Sequence, residues 1–149
     1  RRRAGDLYQA LDHHTRALGL ARELAMEREV AQALALIARI YTALDDHEPA
    51  LEFYRQALEA LPQSERAERA ELLLYLSSLH LARGELDPAE RLAESSIELA
   101  MAIGGEKSAV DGLMRRGVIL ARRGKLEEGL VWIERSLELG SGFDGARSV

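Results

Sequence analysis

The side chains able to do chemistry are few, and their spacing is poor for it. His13 and His14 are adjacent, and neighbouring helical residues point about 100° apart. On a helix they cannot share one ion. Ligating histidines would need a spacing such as His-x-x-x-His, which is nowhere present. One surface histidine and one packing histidine is the plainer reading, and His80, in an apolar slot, reads as a hydrogen-bonded core histidine. Asp45-Asp46-His47-Glu48 lacks the oxygen-ligand spacing and the glycine of a calcium loop. Asp46 as a helix N-cap, with Glu48 favoured by the macrodipole, explains it better. Gly104-Gly105-Glu106-Lys107-Ser108 lacks the full spacing of a phosphate loop and follows no strand. It reads as a loop between two helices.

No nucleophile, base and orienting group can be assembled. Ser77, Ser96 and Ser136 recur at positions that suit close packing. The carboxylates are scattered near arginines at helical spacing, as solvated faces usually are. The sequence therefore predicts no catalytic residue, no cofactor site and no metal site. Cysteine is absent, so disulfides and thiolate metal sites are excluded. A formal charge of −5 argues against a nucleic-acid partner. No apolar run is long enough to span a membrane. Arg outnumbers Lys 18 to 2 and Asn is absent, a bias pointing to a GC-rich, bacterial coding sequence. The chain opens on Arg1-Arg2-Arg3 without Met, as expected of a piece of a longer cytoplasmic protein.

The elements that hold these side chains repeat. Gly5-Asp6-Leu7, Asp45-Asp46-His47, Gly84-Glu85-Leu86 and Gly124-Lys125-Leu126 begin 40, 39 and 40 residues apart. Each is followed by a very small residue: Ala10, Ala50, Ala89 and Gly129. Further on comes a small residue with a branched aliphatic one: Ala17-Leu18, Ala57-Leu58, Ser96-Ile97 and Ser136-Leu137. Small residues seven apart lie on one helical stripe, so a neighbouring helix can approach closely. Gly or Asp at the head of each segment is a turn residue, and Pro49 and Pro88 fit a first helical turn. Upstream lies a second helix with 3.6 periodicity, carrying Leu34, Ile37, Ala38, Tyr41 and Leu44 in one copy. Its small slot recurs as Ala38, Ser77 and Gly117. Paired helices of this kind form hairpins that bury their faces by stacking.

With these residues the chain resembles the tetratricopeptide repeat family, in a long variety of about 40 residues per repeat. Ala38, Tyr41, Ala50, Tyr54, Ala57 and Pro62 match best; elsewhere His80 and Leu120 replace Tyr41, and His14, Ala93 and Ile133 replace Tyr54. The fold class expected is all-α: a right-handed superhelix of antiparallel hairpins, a TPR-like α-solenoid of about seven helices. One domain, 1–149, would hold a partial repeat 1–27, repeats 28–63, 64–104 and 105–140, and a tail 141–149 read as a turn plus the start of a further repeat.

The resemblance implies a protein- or peptide-binding scaffold, not an enzyme, with a groove lined by the first helices. Helix angle places Gln32, Arg39 and Thr42 on that face in one repeat. Leu74, Ser78 and Leu81 occupy it in the next, and Met114, Arg115, Val118 and Arg122 in the last. Apolar residues bordered by guanidinium groups would suit a segment with apolar anchors and acidic flanks. The family's Lys/Asn carboxylate clamp is not reproduced. The plainer alternative is that these apolar residues pack internally and the arginines pair with nearby carboxylates. Two other functions compete: self-association into a homo-oligomer through uncapped terminal helices, and effector sensing within a transcriptional regulator.

Overall fold

The computed structural model describes residues 4–147, with side chains as far as Gly140. They form seven α-helices and one short 3-10 helix, and no strand occurs among them. The helices are α1 (Ala4–Glu23), α2 (Glu27–Ala43), α3 (His47–Ala60), α4 (Arg66–Ala82), α5 (Leu86–Gly104), α6 (Val110–Arg122) and α7 (Leu126–Arg147). The 3-10 turn Glu106–Ala109 leads into α6. The described chain groups into two compact units, one ending at Glu65 and one beginning at Arg66.

In the first unit, α2 packs against both α1 and α3. The Ala- and Leu-rich α2 is a strong helix former, and it buries Leu34, Ile37 and Ala38 almost completely. Each such large side chain contributes about 1.5–3 kcal/mol by leaving water. The facing small residues are those the repeat singled out: Ala50 and Ala57 of α3 are both 0% exposed. Tyr41 stacks on Phe53 with ring centroids 5.6 Å apart. Asp46 stands at the N-cap of α3 as expected, but its side chain makes no cap hydrogen bond. Pro49 lies within the first turn of α3.

In the second unit, α4 pairs with α5 and α6 with α7. Ser77 Oγ donates to the Ala89 carbonyl at 2.7 Å, and Ser96 Oγ donates to the Ala70 carbonyl at 2.7 Å. Both hydroxyls therefore cross the α4–α5 seam while buried, and each is satisfied there. On α6 and α7 the seam is tighter still. A Cβ on Gly129 would stand 2.6 Å from the Gly117 carbonyl oxygen and 2.9 Å from the Ala121 nitrogen. Glycine inside a helix costs about 1 kcal/mol relative to alanine; here it permits backbone to meet backbone. Two apolar clusters fill the unit. One is Leu81, Ala89, Ala93 and Ile119, with Val118 packed on it. The other is Ile97, Ala100, Ala109 and Leu113, with Trp132 packed on it.

The turns follow one geometry. Asp45, Gly84 and Gly124 have φ of 60°, 77° and 87°, so the residues that open three of the repeated segments are the left-handed ones. In each, the following amide reaches back to a carbonyl of the last helical turn: Asp46 to Tyr41, Glu85 to His80 and Lys125 to Leu120, all at 2.9 Å. This is the Schellman closure, which satisfies carbonyls the helix end would otherwise leave free. Ala25 (φ 52°), between α1 and α2, uses the same closure, Met26 to Ala21 at 3.0 Å. Two expectations differ from the structure. Gly5-Asp6-Leu7 is not a turn, because α1 already begins at Ala4. Gly140 does not end a helix either: α7 continues through it to Arg147, since one glycine costs less than breaking an established helix.

Candidate interaction face

The face expected to bind a partner is carried by the first helix of each hairpin. In the first unit Gln32, Arg39 and Thr42 are all exposed on α2. Thr42 Oγ1 donates to the Ala38 carbonyl at 2.9 Å, so its one hydrogen is already committed. Arg39 borders a cavity of about 380 Å³ between α1 and α2, with Leu7, His14 and Leu36.

In the second unit α4 and α6 bring most of the expected residues into play. Leu74, Ser78, Met114, Arg115 and Val118 are half-buried, and Ser78 Oγ donates back to Leu74 at 3.0 Å. Leu81 is a correction. It is 3% exposed and sits in the core with Ala89, Ala93 and Ile119. Helix angle aligned it with the exposed Thr42, but here α5 and α6 both close over the position. Val118 also leans on that cluster. Arg122 Nη1 donates to the Leu81 carbonyl at 3.3 Å, so this arginine is partly engaged within the fold.

Arg115 Nε is buried with no hydrogen-bond partner, a feature it shares with Arg116; what sets Arg115 apart is the effect of burial on its charge. Burial lowers its pKa from the ordinary value, Asp111 opposes that, and the Arg122 charge adds to it. A half-buried guanidinium with an unsatisfied donor is a group with something to gain from an anionic or carbonyl partner.

A pocket of about 380 Å³ lies where α4, α5 and the start of α6 meet. Leu74, Ile97, Ala100 and Ala109 form apolar parts of its wall, and Glu71, Tyr75 and Asp111 contribute polar groups. Tyr75 donates its hydroxyl to Glu71 Oε1 at 2.9 Å. Attention to first helices alone missed the contribution of α5. The recurring Ser96-Ile97 pair was a signal that this stretch faces a neighbour.

The other candidates for chemistry resolve into packing and ion pairs. His13 and His14 rings meet edge to face, with centroids 5.5 Å apart. His80 Nδ1 lies 2.9 Å from Glu85 Oε1, with its side chain 12% exposed. That hydrogen bond is the first cause holding the Glu85 carboxyl below its ordinary value. His47 Nε2 pairs with Asp45 at 3.1 Å. Ser136 Oγ donates to Trp132 at 2.8 Å. Arg116 lies over the Trp132 ring, 4.8 Å from its centroid. Among the described residues no three metal-ligating side chains gather, and no helix is long and apolar enough to cross a membrane.

Comparison with known proteins gives the fold a wider setting. Residues 1–63 match the model of the tetratricopeptide repeat, TPR_12. No curated protein matches the chain. Among solved structures, BtubC (BKLC) from P. vanneervenii is similar, with a TM-score of 0.82 and 19% identity over 95% of this chain. The chain spans 59% of BtubC's length. A putative kinesin light chain of Podosopora anserina, with nearly identical TPR-like repeats, gives a TM-score of 0.74 and 15% identity, covering 93% of this chain and 68% of that one. MamA gives a TM-score of 0.64 and 12% identity, covering 91% of this chain and 81% of its own. At these identities the likeness is one of fold: all-α, of tetratricopeptide type.

Proposed function

We propose, from the premise that residues 1–63 carry tetratricopeptide repeats and the whole chain shares their fold, that this protein is a non-catalytic scaffold binding a protein segment. The observation that carries the reading is the half-buried set Leu74, Met114, Arg115 and Val118 on the first helices of the second unit. The Arg115 guanidinium stands there in a partly desolvated setting, where a contact counts for more than one in water. Arg115 and Arg122 are seven residues apart, about 10.5 Å along α6, and would meet acidic flanks of the segment. Leu74 and Ser78 would extend the contact within the second unit, and Gln32, Arg39 and Thr42 would offer a separate face on α2 of the first. On this reading the chain carries repeats 28–63, 64–104 and 105–140, with a partial copy at 1–27. It would serve a larger cytoplasmic regulator or adaptor. Selection from a displayed library of short random peptides tests it. Peptides enriched on the wild type should lose binding to L74A/M114A and to R115Q; binding unchanged by both sinks the assignment.

A second reading, self-association, is favoured by α7. Leu18 and Ile97 are 5% and 7% exposed, whereas their counterpart Leu137 is 56% exposed and Leu130 is 53% exposed. On α5 that position is covered by α6 and the 3-10 turn. A second copy covering it on α7 would form a homo-oligomer. Light scattering over a concentration series should show association that Leu137→Glu abolishes; a monomer at every concentration rejects it.

A further inference from the structure

The pocket where α4, α5 and α6 meet has a chemistry that the arginine-bordered face does not share. Its wall is apolar through Leu74, Ile97 and Ala100, its charged side chains are Glu71 and Asp111, and no basic side chain lines it. Both carboxylates are on exposed positions, Glu71 in the second turn of α4 and Asp111 in the first turn of α6, while Ile97 in the same wall is 7% exposed. At about 380 Å³ it lies near the lower bound of ligand cavities, about 300 Å³, which is room for one long side chain.

We propose that this pocket seats an aliphatic-stemmed cation, an arginine or lysine side chain of the bound segment. The inference rests on the scaffold reading and gives it a direction. The stem lies over Ile97 and Leu74, as long charged side chains bury their methylenes while keeping the head polar. The cationic head meets Glu71 and Asp111. Tyr75 holds Glu71 Oε1, leaving the other carboxylate oxygen to accept from the ligand. Arg115, one turn beyond Asp111, draws on the same carboxylate, so Glu71 carries the larger share of the contact. An anionic ligand group would fall instead toward Arg115 and Arg122. The segment is thereby oriented, basic anchor at Glu71 and Asp111 and acidic flank toward the end of α6.

Butylguanidinium chloride, titrated into the methyl-labelled full chain and followed by NMR, tests the pocket apart from any peptide. It should move the Leu74, Ile97 and Ile103 methyl signals, while butyrate and butanol should not. Binding should weaken about tenfold in E71Q/D111N, as the loss of two partly exposed ion pairs allows. Ala67→Phe, at an exposed position on the pocket rim, should block it without removing a charge. Equal shifts from butanol or butyrate overturn the proposal, as does binding unchanged in both variants. Either result would leave the scaffold reading standing if library peptides still depend on Leu74, Met114 and Arg115.

Discussion

Ala25 and Asp45 hold left-handed backbone angles without being glycine. The left-handed conformation costs an ordinary L-residue about 1–2 kcal/mol, and Asp offsets part of this more readily than Ala does. Ala25→Gly should therefore stabilise the chain by about 0.5–1 kcal/mol, net of the extra backbone entropy of glycine. Gly84→Ala should destabilise it by about 1 kcal/mol, for conformational reasons alone, since a Cβ there meets nothing within 4 Å. Urea melts followed by circular dichroism will measure both. Acid sensitivity also begins with single residues. The His80 hydrogen bond first, then Arg83, hold the Glu85 carboxyl below its ordinary 4.5. Arg123 likewise holds the Asp87 carboxyl below its ordinary 3.8. A depressed carboxyl contributes stability that is present above its unfolded pKa and lost as pH falls through its folded one. Melting temperature should accordingly fall on acidification below about pH 4.5, and E85Q and D87N should each flatten that limb. An acid limb identical to wild type in both variants would contradict the assignment.

At the scale of elements, the seams between paired helices decide stability. Gly129→Ala should cost about 2–3 kcal/mol, because the added Cβ meets backbone atoms that cannot swing aside. Gly5→Ala should cost nothing comparable, having open space around it. Thermal and chemical denaturation of the two variants side by side will separate these outcomes. The same seams were the most legible part of the sequence. Ala38, Ser77 and Gly117 declare themselves by size and by recurrence, as do Ala50, Ala89 and Gly129, because close packing tolerates only small side chains. Leu81 was not legible in this way. Its helix angle matches that of exposed Thr42, and only the approach of α5 and α6 buries it. The α4–α5–α6 pocket was equally hidden, since it is made by three helices meeting, and periodicity describes one helix at a time. The turn expected at Gly5 failed for a related reason: glycine permits a left-handed turn without requiring one, and Gly5 lies within α1.

For the molecule as a whole, the repeats supply an architecture while the exposed faces supply what is particular to this chain. α7 leaves Leu126, Leu130, Val131 and Leu137 each more than half exposed, a concentration of apolar surface that is unusual unless something covers it. Leu137→Glu should raise the concentration at which the protein associates or precipitates, with stability changed by less than about 0.5 kcal/mol, as at other surface positions. Static light scattering together with a melt will distinguish lost association from lost folding.

The tight α6–α7 crossing also bears on how this chain can be varied. The recurring seam positions are filled differently: Ala38 and Ala50 are both fully buried, Ser77 bonds the Ala89 carbonyl, and Gly117 and Gly129 meet backbone to backbone. The hairpins look like interchangeable modules, yet their halves are not tradeable parts. A chimera setting α5 opposite α6 would align Ala89 with Gly117, driving a Cβ into the gap where two backbones now touch. One setting α4 opposite α7 would bring the Ser77 hydroxyl into a gap that admits no side chain. Drift at one member of a set therefore constrains its partner, and duplication or recombination in such a protein should preserve whole hairpins, with breakpoints falling between them.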